Sequence, residues 1–249
     1  MAKFLKDSAK RLAHAVLRGQ PAPVRRTARN LLNEIRLARY VRRSSRQFQF
    51  LESSASLKLH LGCGGDFKRG WINIDLVLSN SAPAMNGAAS PETLFINYDL
   101  RKGTLPLKDN SCHIIYSSHF FEHLDYQQGV ALMRDCYRVP RPGGTFRISL
   151  PNFKDFFRAY LRGDHEYFDL VDIKHALPGL EPGTETLVDH VNWGVYQYGE
   201  HKCIYDEEKV CLMLRQIGFS VAATASFRAD IDPDNELRKR YSFYVEAVK

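Results

Sequence analysis

The sequence predicts an α/β fold: a doubly wound, mostly parallel sheet with an antiparallel C-terminal edge hairpin, preceded by a basic helical N-terminal arm. Three observations carry this. From Lys58 onward, short apolar strands alternate with amphipathic helical segments, the pattern of a sheet covered on both faces. The first strand breaks into glycines, and a second strand closes on an aspartate. The last two strands lack a helical period between them and so pair as a hairpin.

A chain of 249 residues, 44% hydrophobic and 25% charged, suits one sizeable domain with appendages, and no stretch is apolar enough for a membrane span. Charge is unevenly placed. Residues 1–50 hold 13 of the 35 Lys/Arg and 2 of the 28 Asp/Glu, a net of +11, so the rest of the chain is net −4. Residues 1–50 are read as an arm and 51–249 as the main domain. Leu5, Ala9, Leu12, Ala13 and Val16 share one helical face, and Ala28, Leu31, Leu32 and Ile35 share another, split by Gly19, Pro21 and Pro23. Three uses of the arm are open: a helical extension that covers the domain or forms a homodimer, a basic surface resting on anionic lipid, and contact with nucleic acid. The few aromatics among its arginines make base stacking, and so nucleic acid, the weaker reading. Its Arg-rich, acid-poor composition is also that of a mitochondrial transit peptide.

Leu59 and Leu61 alternate with polar residues and run into Gly62, Cys63, Gly64 and Gly65, a strand ending in a turn that needs φ > 0 and close approach. WINID is the second strand, with Asp75 and Leu76 at its carboxyl end, where an acidic side chain can take ribose hydroxyls. There is no GxGxxG, and ten residues separate Gly64 from Asp75 where dinucleotide folds use about 20. Gly70 leaves room for a short helix only. A nucleoside without phosphates fits better than a dinucleotide.

The proline-punctuated stretch after Leu76 is a connection. TLFINYDL is a strand ending at Asp99, and CHIIYSS is another ending at Ser117 and Ser118. Asp125 and Gln128 form a capping box for a helix that stops at Pro140. RPGG turns into the strand TFRISLP. Phe153, Phe156, Phe157, Tyr160 and Leu161 then fall on one helical face, as core or the underside of a lid. Residues 169–205 read as a long irregular, substrate-recognising segment carrying His175, His190, Trp193, Tyr196, Tyr198 and His201. A helix from Asp206 to Gly218 and the strands FSVAATASF and YSFYVEAV finish the chain. The five cysteines are scattered without a CxxC pair, which argues against a disulfide framework or thiolate metal site and for a reducing cytoplasm.

Five ordered motifs give a family resemblance over residues 57–249: Gly62, Cys63 and Gly64; Gly70, Trp71, Asn73 and Asp75; Asp99 and Leu100; Ser117, His119, Glu122, His123 and Leu124; and Arg138, Val139, Pro142, Gly143 and Gly144. In this order they resemble the class I S-adenosylmethionine-dependent methyltransferases, in particular a small type 11-like branch. Pro140 departs from that pattern, where leucine is usual.

The resemblance implies a Rossmann-like sheet with S-adenosylmethionine as cofactor. Gly62 to Gly64 would approach the methionyl part, Asp75 with Leu76 the ribose, and Asp99 with Leu100 the adenine; Ser117, Ser118 and His119 would border the methyl group. His119, Glu122, His123 and His201 are the candidate catalytic residues, His119 as the base. The histidines have the alternative of bonding loop backbone behind the cofactor. HFFEH also matches the zinc-protease pattern HxxEH, but a strand runs directly into His119 and no third ligand is evident, so no metal is expected. The resemblance further implies a cytoplasmic enzyme that methylates O or N of a small or glycan-like acceptor, in surface-polysaccharide or lipid-linked sugar synthesis, with the arm at the inner face of the membrane. The alternatives are methylation of RNA through the arm and a non-catalytic binding protein.

Overall fold

A computed structural model describes residues 57–76, 94–169 and 186–249, with single positions upstream that include Phe48 and Leu51. The arm's helices, the connection after Leu76 and residues 170–185, His175 among them, lie outside the described residues.

Seven strands form one sheet: β1 (Leu57–Leu61), β2 (Ile72–Asp75), β3 (Leu94–Asn97), β4 (Cys112–Ser118), β5 (Pro140–Pro151), β6 (Val221–Ala225) and β7 (Ser242–Val248). Their spatial order is β3-β2-β1-β4-β5-β7-β6. The first five are mutually parallel, and β7 lies antiparallel between β5 and β6. The chain steps outward from β1 to β3 and then returns to β4 on the other side of β1. That reversal opens a crevice beyond the carboxyl ends of β1 and β4, the place where such sheets bind ligands.

Helix α1 (Tyr126–Arg138) begins at the expected capping box, Asp125 accepting from the Gln128 backbone and Gln128 from that of Asp125. Helix α2 (Phe153–Arg162) buries Phe153, Phe156 and Ala159, whereas Phe157, Tyr160 and Leu161 are exposed. Helix α4 (Glu207–Ile217) runs between Asp206 and Gly218 as expected. The main core joins β1, β2, β4, β5 and β7 to α1 and α4, and Phe48, on the arm side of the 50/51 boundary, sits in it edge-on to Tyr98.

The structure corrects four local expectations. Residues 62–71 are turns without a helix, because Asn73 holds the chain there: its side chain accepts from the Lys68 N–H and donates to the Lys68 and Trp71 carbonyls. The RPGG stretch is the irregular start of β5. The segment 169–205 is partly regular: Thr186 and Asp189 cap helix α3 (Leu187–Tyr196), whose Leu187, Val191 and Trp193 pack on a second small core with Phe156, Phe168 and Tyr241. Between β6 and β7 lies α5 (Glu236–Tyr241), capped by Asn235. Only Leu237 and Tyr241 are apolar in that helix, too few to show a period.

Candidate active site

The end of β1 is tied to the end of β2. The N–H groups of Gly62 and Cys63 donate to the Ile74 carbonyl at 2.8 and 3.3 Å. The Asp75 carboxylate accepts from Gly64 and Leu76 N–H, each at 2.6 Å. Burial raises the Asp75 pKa, and these two bonds pull against that rise. Each carboxylate oxygen keeps a further lone pair. Gly62 and Gly64 have φ of +64° and +52°. A Cβ on Gly62 would strike the Phe120 ring at 2.1 Å, whereas a Cβ on Gly64 or Gly65 would meet nothing within 4 Å. The loop is therefore pinned under Phe120 at one end and presents open backbone beside a carboxylate at the other. Cys63 is buried, and burial pushes its thiol pKa up.

At the neighbouring strand end, Asp99 caps the short turn Leu100–Lys102 and holds the Arg101 guanidinium at 2.8 and 3.1 Å. Leu100 is buried in the core. The Ser117 hydroxyl donates to the Leu61 carbonyl at 3.0 Å, knitting β4 to β1, and that of Ser118 accepts from Ser149 at 2.9 Å.

Beyond Ser118 the backbone turns sharply, and His119 takes φ +47°, uncommon for a non-glycine residue. The turn reverses the chain at the strand end and sends Phe121–His123 into a 3-10 turn. His119 Nε2 lies 2.7 Å from the Ser242 hydroxyl at the start of β7, and its Nδ1 is 3.6 Å from Glu122 Oε1. Burial and the nearby Arg238 hold the His119 pKa well below its ordinary value, so the ring is neutral. Glu122 is fully buried, neither carboxylate oxygen has a hydrogen-bond partner, and burial raises its pKa to about 8. The rings of His123 and His201 meet edge to face at 4.9 Å, and His201 Nδ1 donates to the Gly194 carbonyl at 2.7 Å. Burial lowers both pKa values.

These four residues line one cavity of about 260 Å³, closed by Phe153 and Trp193 and by Arg238 of α5. His119, Glu122, His123 and His201, separated by up to 82 positions in sequence, thus share one wall. The protease pattern does not form, since His119 and His123 lie on a bent turn and not on one helix face. Sequence reasoning missed Ser242 and Arg238. The polar stretch that carries Arg238 gives no signal, and Ser242 is simply the residue that opens a strand.

The open glycine backbone and the carboxylate beside it fit a cationic nucleoside such as S-adenosylmethionine, which needs close main-chain approach and negative charge and offers no phosphate. Residues 59–148 match the family model described as a methyltransferase domain. A 58-residue stretch is 43% identical to a protein of Mycolicibacterium smegmatis described as a probable S-adenosylmethionine-dependent methyltransferase, covering 22% of this chain and 21% of that one. The match thus spans about a fifth of that relative's length. Among solved structures, a SAM-dependent methyltransferase from Archaeoglobus fulgidus is 16% identical with a TM-score of 0.46, over 87% of this chain and 94% of the other. Phosphoethanolamine N-methyltransferase 2 of Haemonchus contortus, solved with S-adenosyl-L-methionine, is 13% identical with a TM-score of 0.46, over 82% of this chain and 53% of the other. The matched residues run from β1 into β5 and so frame the crevice just described, and over this stretch the chain is similar to the methyltransferase domain family.

Proposed function

We propose that the chain transfers a methyl group from S-adenosylmethionine to an oxygen or nitrogen of a small or glycan-like acceptor. The observation that carries this is the cavity at the carboxyl end of β4, walled by His119, Glu122, His123 and His201, with the intervening Phe120 packed over Gly62 of the glycine loop. Gly62, Cys63, Gly64, Asp75, Leu76, Asp99, Leu100, Ser117 and Ser118 are the proposed cofactor contacts. Asp99 has its carboxylate engaged by Arg101, so its part at the adenine falls to geometry it shares with Leu100.

The cofactor supplies an electrophilic methyl group on a sulfonium. The protein's task is to hold the acceptor in line and close, and to exclude water. Phe153 and Trp193 give the cavity apolar walls. As the carbon–oxygen or carbon–nitrogen bond forms, sulfur keeps the electron pair of the bond that breaks, and the acceptor loses a proton. The neutral His119 imidazole, oriented by Ser242, takes that proton. An acceptor of modest size suits a cavity of about 260 Å³. A place in surface-polysaccharide or lipid-linked sugar synthesis is what the family resemblance implies, and the arm's net charge of +11 would suit an enzyme held at an anionic membrane. No helix among the described residues is long and apolar enough to cross one.

The test is transfer of a labelled methyl group from S-adenosylmethionine into fractionated cell extract. A labelled small or glycan-like product that fails to form with His119→Ala supports the reading. Label that enters RNA alone, or no label in any fraction from a chain that binds the cofactor, overturns it.

A further inference from the structure

Glu122, His123 and His201 place one ligand atom each within 4.8 Å of one another. Three independent features turn this cluster into something built. First, His201 has one ring nitrogen committed to a backbone carbonyl, Nδ1 to Gly194 at 2.7 Å. A carbonyl only accepts, so the bonded nitrogen carries the proton and the other keeps its lone pair. That is the arrangement in which metal-ligating histidines are held. Second, the Glu122 carboxylate is fully buried with both oxygens unpartnered, which is costly unless something binds them. Third, the cluster opens onto the cavity, which leaves positions free for water or an acceptor atom.

We propose that Glu122, His123 and His201 bind a divalent first-row transition ion of the zinc class. Two imidazoles and one carboxylate with open positions form a catalytic-type set for Zn²⁺ or Fe²⁺; Mg²⁺ and Ca²⁺ select oxygen ligands instead. Ligand atoms about 2.1 Å from an ion stand roughly 3.4 Å apart in a tetrahedral set, so side-chain rotations of about 1 Å close the site. Arg238 opposes a dication here, while Glu200 and Asp75 attract it, both carboxylates acting on His123. The expectation that HFFEH holds no metal was drawn from the protease pairing of His119 with His123. The geometry uses a different trio, with the third ligand 78 positions beyond His123.

In the methyl-transfer reading, on which only its role rests, the ion would bind an acceptor oxygen and lower its pKa beside His119, selecting hydroxyl acceptors. The site itself is tested without turnover. Tag-free full-length chain is stripped with a chelator and titrated with Zn²⁺ against a chromophoric competitor, and with Co²⁺ by visible absorption. Calorimetry with S-adenosylmethionine serves as the control for folding. One ion per chain is expected, with affinity falling at least about 100-fold in His201→Ala and Glu122→Gln while cofactor binding holds. Less than half an ion per chain, or equal affinity in wild type and both variants, overturns the site. Should a variant lose cofactor binding, the wild-type Co²⁺ spectrum decides: the d–d bands of a low-coordinate nitrogen–oxygen site support it, and an aqua-ion spectrum overturns it. A chain that holds the ion but transfers no methyl group leaves the site standing and defeats the transfer reading.

Discussion

The backbone N–H of Gly64 donates to Asp75 Oδ2 across 2.6 Å, so the residue expected to meet the ribose also fixes the loop expected to meet the methionyl group. Replacing Asp75 by Ala removes both effects. Cofactor affinity should fall at least tenfold by calorimetry, with about 1–3 kcal/mol of stability lost, because two N–H groups lose their acceptor. Asp75→Asn keeps one acceptor oxygen and should retain more stability than affinity. An Asp75→Ala chain that binds as tightly as wild type would remove Asp75 from the site.

The two outer glycines of the loop should fail in different ways. Gly62→Ala drives a Cβ into the Phe120 ring as well as straining a φ of +64°, so its thermal midpoint should drop by several degrees. Adding Phe120→Ala should recover part of that loss, a coupling that a double-mutant cycle reads. Gly64→Ala meets open space and pays only the left-handed strain of about 1–2 kcal/mol, while the new methyl group stands where the cofactor is proposed to approach. Its cofactor affinity should therefore fall far more than its stability, and equal damage to both would contradict the cradle.

Two residues before Ser149 on β5, Arg147 is fully buried. It bonds both carboxylate oxygens of Asp232, the Glu246 carboxylate at 2.9 Å and the Ser226 carbonyl at 2.8 Å. Asp232→Ala leaves that guanidinium without its buried counter-charge and should cost about 3–5 kcal/mol in urea unfolding. Glu246 is partly exposed, and Glu246→Gln should cost about 1 kcal/mol or less. Similar losses in the two would show that burial does not decide the strength of this network.

His60 gives the fold a pH dependence. It is buried in β1 against Tyr116, its Nδ1 3.3 Å from Asn73 Oδ1, and burial with the nearby Lys68 lowers its pKa to about 4, against a smaller opposing pull from Asp66. The folded state therefore prefers the neutral ring. Its stability is intact above pH 6.5 and is lost as pH falls from there toward 4, by about 3 kcal/mol in all. Urea midpoints across that range should fall in wild type and stay flatter in His60→Gln. Parallel curves would assign the acid sensitivity to other groups.

Strand and helix positions were legible wherever period and punctuation agree. Cys112–Ser118, the Asp125 cap and the stop at Gly218 stand where the residues place them, because each depends on chemistry within a few positions. Helix α5 was hidden, since Asn235 and an ion pair between Lys239 and Glu236 hold it with few apolar residues. In the site, HFFEH announced its residues but not their partners. His119 finds Ser242 across 123 positions, and His123 finds His201, through a sheet order that local pattern does not encode.

That sheet order sets the sequence of assembly. Among the described residues β6 pairs only with β7, and β7 fills the gap between β6 and β5, so neither can join the sheet until residues 242–248 have been synthesised. A nascent chain that has already emerged through β5 can pair its parallel strands and form the glycine loop, while the β5 edge waits unpaired. Ser242, the partner of His119, arrives with that last strand. The glycine-loop side of the crevice is thus complete early in the chain's birth, and the His119 side, proposed to supply the base, gains its Ser242 contact only when the sheet closes.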